Sequence, residues 1–130
     1  MIESFGVKSS MREEMMDITE TVNKIVMRSS LAGGVCIIYT PHTTAAITIN
    51  ENADPSVRKD ILKGLNSLNF EQIRFSHSEG NSPAHIKSSI IGCSEMVLIE
   101  NGRLNLGTWQ GIYFCEFDGP RTRKVLVKII

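Results

Sequence analysis

Asn101-Gly102 commits the last third of this chain to antiparallel pairing. The dipeptide follows the apolar run Met96 to Ile99, and a two-residue hairpin turn needs residues that tolerate positive φ. Two further strand-like runs, Gln110 to Phe117 and Arg123 to Ile130, flank a second turn at Asp118-Gly119-Pro120. This part of the chain reads as antiparallel sheet.

Earlier segments mix the two periodicities. Val35 to Tyr39 is an unbroken apolar run, as in a strand covered on both faces. From Thr44 to Asn50 the sequence alternates, with Ala45, Ile47 and Ile49 on one side. Asp54-Pro55 supplies an N-cap and an N1 proline for a helix to about Leu68. Asn81 or Ser82 caps another helix with Pro83 just inside, and Ile90-Ile91-Gly92 closes it. The first helix is expected from Ser10, with Glu13 at capping-box spacing. Its stripe of Met11, Met15, Ile18, Val22 and Ile25 runs on toward a stop at Gly33-Gly34. The fold expected is α+β: one compact domain over 1–130, mainly antiparallel sheet, with about three helices.

Composition narrows the function classes. Fourteen Lys+Arg balance fourteen Asp+Glu, so no global field would attract nucleic acid. No apolar run approaches the roughly 18 to 20 residues of a membrane span, and the first residues carry no secretory pattern. Cys36, Cys93 and Cys115 are odd in number and widely spaced. They suit small buried residues in a reducing cytoplasm better than a disulfide framework.

Three groups of residues carry possible chemistry. The only histidines are His42, His77 and His85; no two have helical zinc-site spacing, so spacing alone is a weak metal signal. His42 is followed by Thr43 and Thr44, and His77 and His85 bracket Glu79, Gly80 and Asn81 in a polar loop. Asn50-Glu51-Asn52-Ala53-Asp54 is either a strand-to-helix connection capped by Asp54 or a source of a carboxylate for proton transfer. Arg121 and Arg123, two apart on a strand, form either a phosphate clamp or ion pairs with Glu116 and Asp118 across the turn. The start of the helix at Pro83-Ala84-His85 offers backbone N–H groups to an anion, with Ser88 and Ser89 one turn on. Trp109 is expected in the core or as the wall of a ring pocket.

Together these motifs resemble the YjbQ-like family, also called the secondary thiamine-phosphate synthase family. The resemblance is carried by His42-Thr43-Thr44-Ala45-Ala46, Asn50-Glu51-Asn52-Ala53-Asp54-Pro55, and His77 with Ser82-Pro83-Ala84-His85-Ile86-Lys87-Ser88-Ser89. It continues through Gly107-Thr108-Trp109-Gln110-Gly111 and Asp118-Gly119-Pro120-Arg121. It implies a cytoplasmic homotrimer with sites at subunit interfaces, and places a divalent metal (zinc or magnesium) on His42, His77 and His85. By the same matching, Glu51, Asn52, Asp54, Thr108, Gln110 and Arg121 would border that site. The implied activity joins hydroxymethylpyrimidine diphosphate to thiazole phosphate and releases diphosphate. The catalytic candidates are then Glu51, Asp54 and Arg121. Asn52, Asn81, Ser88, Thr108, Gln110, Arg121 and Arg123 would bind a small phosphorylated metabolite. Two other functions compete with this one: a metal-dependent hydrolase, with Glu51 or Asp54 taking the proton of a water, and a non-catalytic trimer that binds metal or anion.

Overall fold

Eight strands and three helices alternate in the computed structural model, which describes residues 1–130. Their order is β1 (Ile2–Lys8), β2 (Glu14–Asp17), α1 (Thr19–Arg28), β3 (Gly33–Tyr39), β4 (Ala45–Glu51) and α2 (Pro55–Asn66). A short 3-10 turn at Phe70–Gln72 precedes α3 (Ser82–Ile91), β5 (Ser94–Glu100), β6 (Arg103–Leu104), β7 (Gln110–Glu116) and β8 (Thr122–Ile129). Every strand pairing is antiparallel. One sheet has the order β1-β8-β3-β5-β6 and the other β2-β7-β4. No helix is long and apolar enough to cross a membrane.

Alternation decides the layering. Cys36, Ile38, Val97, Ile99, Val125 and Val127 project from the five-stranded sheet onto Ala45, Ile47, Ile112 and Phe114 of the smaller one. Val22, Ile25 and Val26 of α1 join the same core. The opposite face of the smaller sheet carries Met15, Ala46, Tyr113 and Cys115, which pack on Ala84 of α3 and on Ile61, Leu62 and Leu65 of α2. Burying side chains on both of its faces makes the small sheet the middle layer. The outer face of the large sheet has no such cover. Met96 is 69% exposed and Leu98 62%. Opposite them, Ile37 pairs with Met96 and Val35 with Leu98. Strand β3, expected to be covered on both sides, is therefore covered on one.

Several boundaries follow their local signals closely. Asp54 accepts from the Ser56 N–H at 2.9 Å and caps α2. Asn81 and Gly92 flank α3. Asn101 and Gly102 take φ of 52° and 74° in the β5–β6 turn, the left-handed pair that such a turn requires.

The expected first helix divides in two. Glu14 to Asp17 pairs with Tyr113 to Glu116 as an edge strand, which buries Met15 opposite Cys115. Asp17 Oδ1 then accepts from both the N–H and the hydroxyl of Thr19, and the helix starts there. Met11, counted in the helical stripe, is exposed. Ser10 bonds Glu14 instead of forming the expected box with Glu13. Strand β1, which no motif announced, runs along β8 with Val7 facing the core. Trp109 is 62% exposed, not core. Of the cysteines, Cys36 and Cys115 are buried and Cys93 is exposed. Burial pushes the Cys36 thiol up to about 11 and that of Cys115 to about 12, so both stay protonated.

Candidate functional site

The three histidines arrive from three different stretches of chain and meet at one cavity. His42 lies between β3 and β4, His77 in the loop before α3, and His85 in the first turns of α3. All three line a polar cavity of about 340 Å³, together with Thr43, Thr44, Glu79, Asn81, Arg121 and Arg123. The rings of His77 and His85 stand edge to face, 5.3 Å between centroids. A second cavity of about 580 Å³ adjoins it and shares His42, Thr43 and His85. That neighbour is lined by Tyr39, Thr40, Ser88, Ser89 and Cys93, and by no lysine or arginine.

His42 is pinned by β8. Its Nε2 accepts the backbone N–H of Lys124 at 2.9 Å. The carbonyl of the same residue accepts from the Thr40 hydroxyl at 3.2 Å. Burial, followed by the positive charges of Arg123, Lys124 and Arg121, holds the His42 pKa below its ordinary value, against an opposing pull from Glu116. His42 is thus neutral, and its proton sits on Nδ1.

Arg123 is a buried residue. Its Nε donates to Glu116 Oε1 at 2.9 Å, and its Nη2 donates to Glu116 Oε2 and to Thr44 Oγ1. Glu116 has no exposed surface. Although burial alone would raise its pKa, the bonds from Arg123, the Ser9 hydroxyl and the Asp118 N–H together hold it below the usual value. Arg121 is half exposed and wraps back on Asp118, with Nε on the carbonyl and Nη2 on Oδ2. Both turn-spanning ion pairs therefore form, and the free two-arginine clamp does not. Nη1 of each arginine takes no protein hydrogen bond.

The start of α3 also offers less to an anion than its sequence suggests. Pro83 has no N–H, and the N–H groups of Ala84 and His85 both donate to the Asn81 carbonyl. Ser82 alone is left. Asn81 turns its side-chain amide away from the helix to donate to Asp118 Oδ2 at 2.9 Å. Its Oδ1 is consequently a buried acceptor without a partner, an arrangement that costs free energy unless a donor or cation meets it.

The remaining candidates lie elsewhere. Glu51, Asn52, Asp54, Thr108 and Gln110 gather at the far end of β4, which at seven residues spans about 20 Å. There Glu51 pairs in register with Gln110. The Asn52 N–H donates to the Trp109 carbonyl, and the Asn52 side chain donates to Asp17 at 3.1 Å. Gln110 Oε1 accepts from the Gly107 N–H at 2.8 Å and closes the 107–110 turn. Asp54 is the cap of α2. Within one chain, none of these five reaches the histidines. Ser88 donates its hydroxyl to the Ala45 carbonyl at 2.6 Å and borders the second cavity, not the first. The carboxylate that does face the histidines is Glu79. Its position between two histidines in a polar loop was the signal that could have singled it out.

The profile of the UPF0047 protein YjbQ-like family matches residues 3–130. A UPF0047 protein of Methanocaldococcus jannaschii is 52% identical over 130 residues, covering all of this chain and 94% of its own. YugU of Bacillus subtilis is 51% identical, covering all of this chain and 99% of its own. Among solved structures, a YjbQ/UPF0047-family protein from Clostridium acetobutylicum shares 53% identity. It superimposes with a TM-score of 0.95 over 98% of this chain and 99% of its own. A YjbQ-like protein of Sulfolobus solfataricus keeps a TM-score of 0.94 at 32% identity, over 99% of this chain and 95% of its own. With sequence and fold agreeing over nearly the whole length, the chain belongs to the YjbQ-like (UPF0047) family.

Proposed function

We propose that the protein is an enzyme acting on a small phosphorylated metabolite, a transferase resembling thiamine-phosphate synthase. The observation that carries this reading is the single cavity joining three histidines, Asn81 and two arginines whose Nη1 groups take no protein hydrogen bond. In the reaction the thiazole nitrogen attacks the pyrimidine methylene carbon, a C–N bond forms, and diphosphate leaves with the electrons of the broken C–O bond. The nucleophile is a lone pair without a proton, so no general base is needed, and the demand falls on stabilising the leaving group.

Charge at the cavity bears on a cofactor. Glu79, Glu116 and Asp118 stand against Arg121 and Arg123, three carboxylates to two guanidinium groups. The side chains alone thus supply no surplus positive charge for a diphosphate. As they stand, no three His, Cys, Asp or Glu side chains lie close enough together to hold a metal ion. By donor type alone, His77, His85 and Glu79 drawn together would suit zinc before magnesium, because two of the donors are imidazole nitrogens. Bound there, such an ion would neutralise charge developing on the departing phosphate oxygens. Arg121 Nη1 and the Ser82 N–H would orient that group.

The family's second motif enters through another copy of the chain. We propose a homotrimer in which Glu51, Asn52, Thr108 and Gln110 of one subunit approach the histidine cavity of the next. The uncovered stripe of Val35, Ile37, Tyr39, Met96 and Leu98 supports this, because it runs along β3 to Tyr39, which lines the cavity adjoining the histidine cavity. Unpaired thiols suit a reducing cytoplasm as the place of work.

The deciding experiment is a product assay with the pyrimidine diphosphate and thiazole phosphate, beside a panel of phosphate esters, with metal analysis of the purified protein. Thiamine phosphate formed by the native chain and lost in His85→Ala is expected. Ester turnover without thiamine phosphate would replace the transferase with a hydrolase, and no turnover with tight metabolite binding would make the protein a binder.

A further inference from the structure

A histidine that binds a metal through one nitrogen uses the other to donate, usually to a carboxylate or a carbonyl. His42 does the reverse. Its Nε2 receives a proton donor, the Lys124 N–H, at 2.9 Å. That contact requires a lone pair on Nε2 and fixes the neutral ring with hydrogen on Nδ1. Neither nitrogen then has a free lone pair for a cation.

The tautomer is built into the backbone. Lys124 pairs with Gly6 of β1 in the ladder, yet turns both its N–H and its carbonyl toward the 40–42 segment. The carbonyl holds the Thr40 hydroxyl and the N–H holds His42. The 40–42 segment is therefore anchored at two points of one residue of β8, and the ring itself at one of them, through Nε2. No side-chain rearrangement at the surface would exchange the two nitrogens. Nδ1 makes no hydrogen bond within the protein, and His42 lies on the wall shared by the two cavities.

We propose that His42 is a fixed neutral hydrogen-bond donor, offering Nδ1–H to a phosphate oxygen of the bound metabolite, and is not a metal ligand. The inference rests on reading the cavity as a metal and phosphate site, and it assigns the ligand histidines to His77 and His85 alone. It gives the site a donor that adds no charge. Such a donor can sit beside Arg121 and Arg123 without like-charge repulsion, and it is already oriented before an anion arrives.

Three measurements on the full-length protein test this. Long-range nitrogen-15 correlation spectra at neutral pH should show His42 as the Nδ1–H tautomer; the Nε2–H tautomer would overturn the assignment. Zinc titration should give His42→Ala an affinity close to that of the native chain. His77→Ala and His85→Ala should each lose at least about 100-fold, the upper end of what an outer-shell substitution costs. An equal loss in His42→Ala would return it to the ligand set. Inorganic pyrophosphate should bind His42→Ala about tenfold more weakly, the scale of one hydrogen bond to a charged group. His42→Asn, whose amide nitrogen falls near Nδ1, should recover part of the loss, and His42→Gln, with its nitrogen near Nε2, should not. Unchanged pyrophosphate affinity in His42→Ala would overturn the donor role. If the native chain binds no zinc, the metal reading fails, while the tautomer and pyrophosphate measurements still decide the role of His42.

Discussion

Glu116 and Arg123 meet across the β7–β8 turn as an ion pair sealed from water, with side-chain exposures of 0% and 5%. Glu116 is held by the Ser9 hydroxyl at 2.7 Å and the Asp118 N–H at 3.1 Å as well as by Arg123. The pair is the floor of the histidine cavity and the joint between the two sheets.

Removing one partner leaves the other charge buried without compensation, a loss of about 3 to 5 kcal/mol. Arg123→Met and Glu116→Gln should each lower the urea midpoint strongly. The double variant should be more stable than the sum of the two losses predicts, because neither charge is then orphaned. Additive losses in equilibrium unfolding would show that the two residues act independently.

The same carboxylate sets a limit on acid stability. Its folded pKa lies below the unfolded value, so its contribution is fully present above the unfolded pKa of about 4.3. It is lost as pH falls through the depressed folded value. Asp17 and Asp118 are shifted the same way, despite the opposing effect of burial, by bonds from Thr19 and Asn52 in one case and from Asn81 and Arg121 in the other. Urea midpoints followed from about pH 6 to about pH 3 should therefore fall steeply below about pH 4.3. In Glu116→Gln the slope should be shallower and the curve lower throughout. A native profile flat over that interval would contradict the assigned direction.

Where the chain carries short-range instructions, its sequence reads correctly. Asp54 caps α2, Asn101-Gly102 makes the turn, and α3 runs from just after Asn81 to Gly92, each set within a few residues, although the Asn81 side chain bonds Asp118 and not the helix. The first helix fails for a long-range reason. Met15 and Ile18 keep apolar spacing that suits a helix, but β7 offers Met15 an edge to pair with, and Asp17 starts the helix only at Thr19. Site legibility divides the same way. The histidines were visible as motif residues. The pairing of Arg123 with Glu116 across the turn is one of two readings the sequence allows. That the pair is buried, and that Glu51 lies a strand's length away, depends on sheet register, which no local pattern encodes.

Asp54 separates two roles that its position allows. Its carboxylate accepts the Ser56 N–H, and that bond, with burial opposing only slightly, holds its pKa below the ordinary range. Asp54→Ala should lower the unfolding midpoint modestly, by loss of the cap. Asp54→Asn and Asp54→Ser, which also cap, should restore it. Turnover at saturating substrate should be unchanged in all three. A loss of turnover in Asp54→Asn with the midpoint intact would show that the carboxylate has a chemical task.

Leu98 and Met96 point outward from the large sheet beside Val35 and Ile37, an apolar stripe that water would otherwise have to cover. In the proposed trimer this stripe is buried between subunits, and each large side chain contributes about 1.5 to 3 kcal/mol to association. Sedimentation velocity on the native chain at micromolar concentration should give a trimer. Met96→Lys with Leu98→Lys should raise the dissociation constant at least about a hundredfold and release folded monomers. The fold should survive, since neither side chain belongs to the core between the sheets. Pyrophosphate affinity should fall on dissociation if Asn52 and Gln110 of a second subunit help to form the site. A native chain that sediments as a monomer would remove the interface and the second-subunit contribution together. A monomeric variant with unchanged affinity would keep the trimer but confine the binding site to one chain.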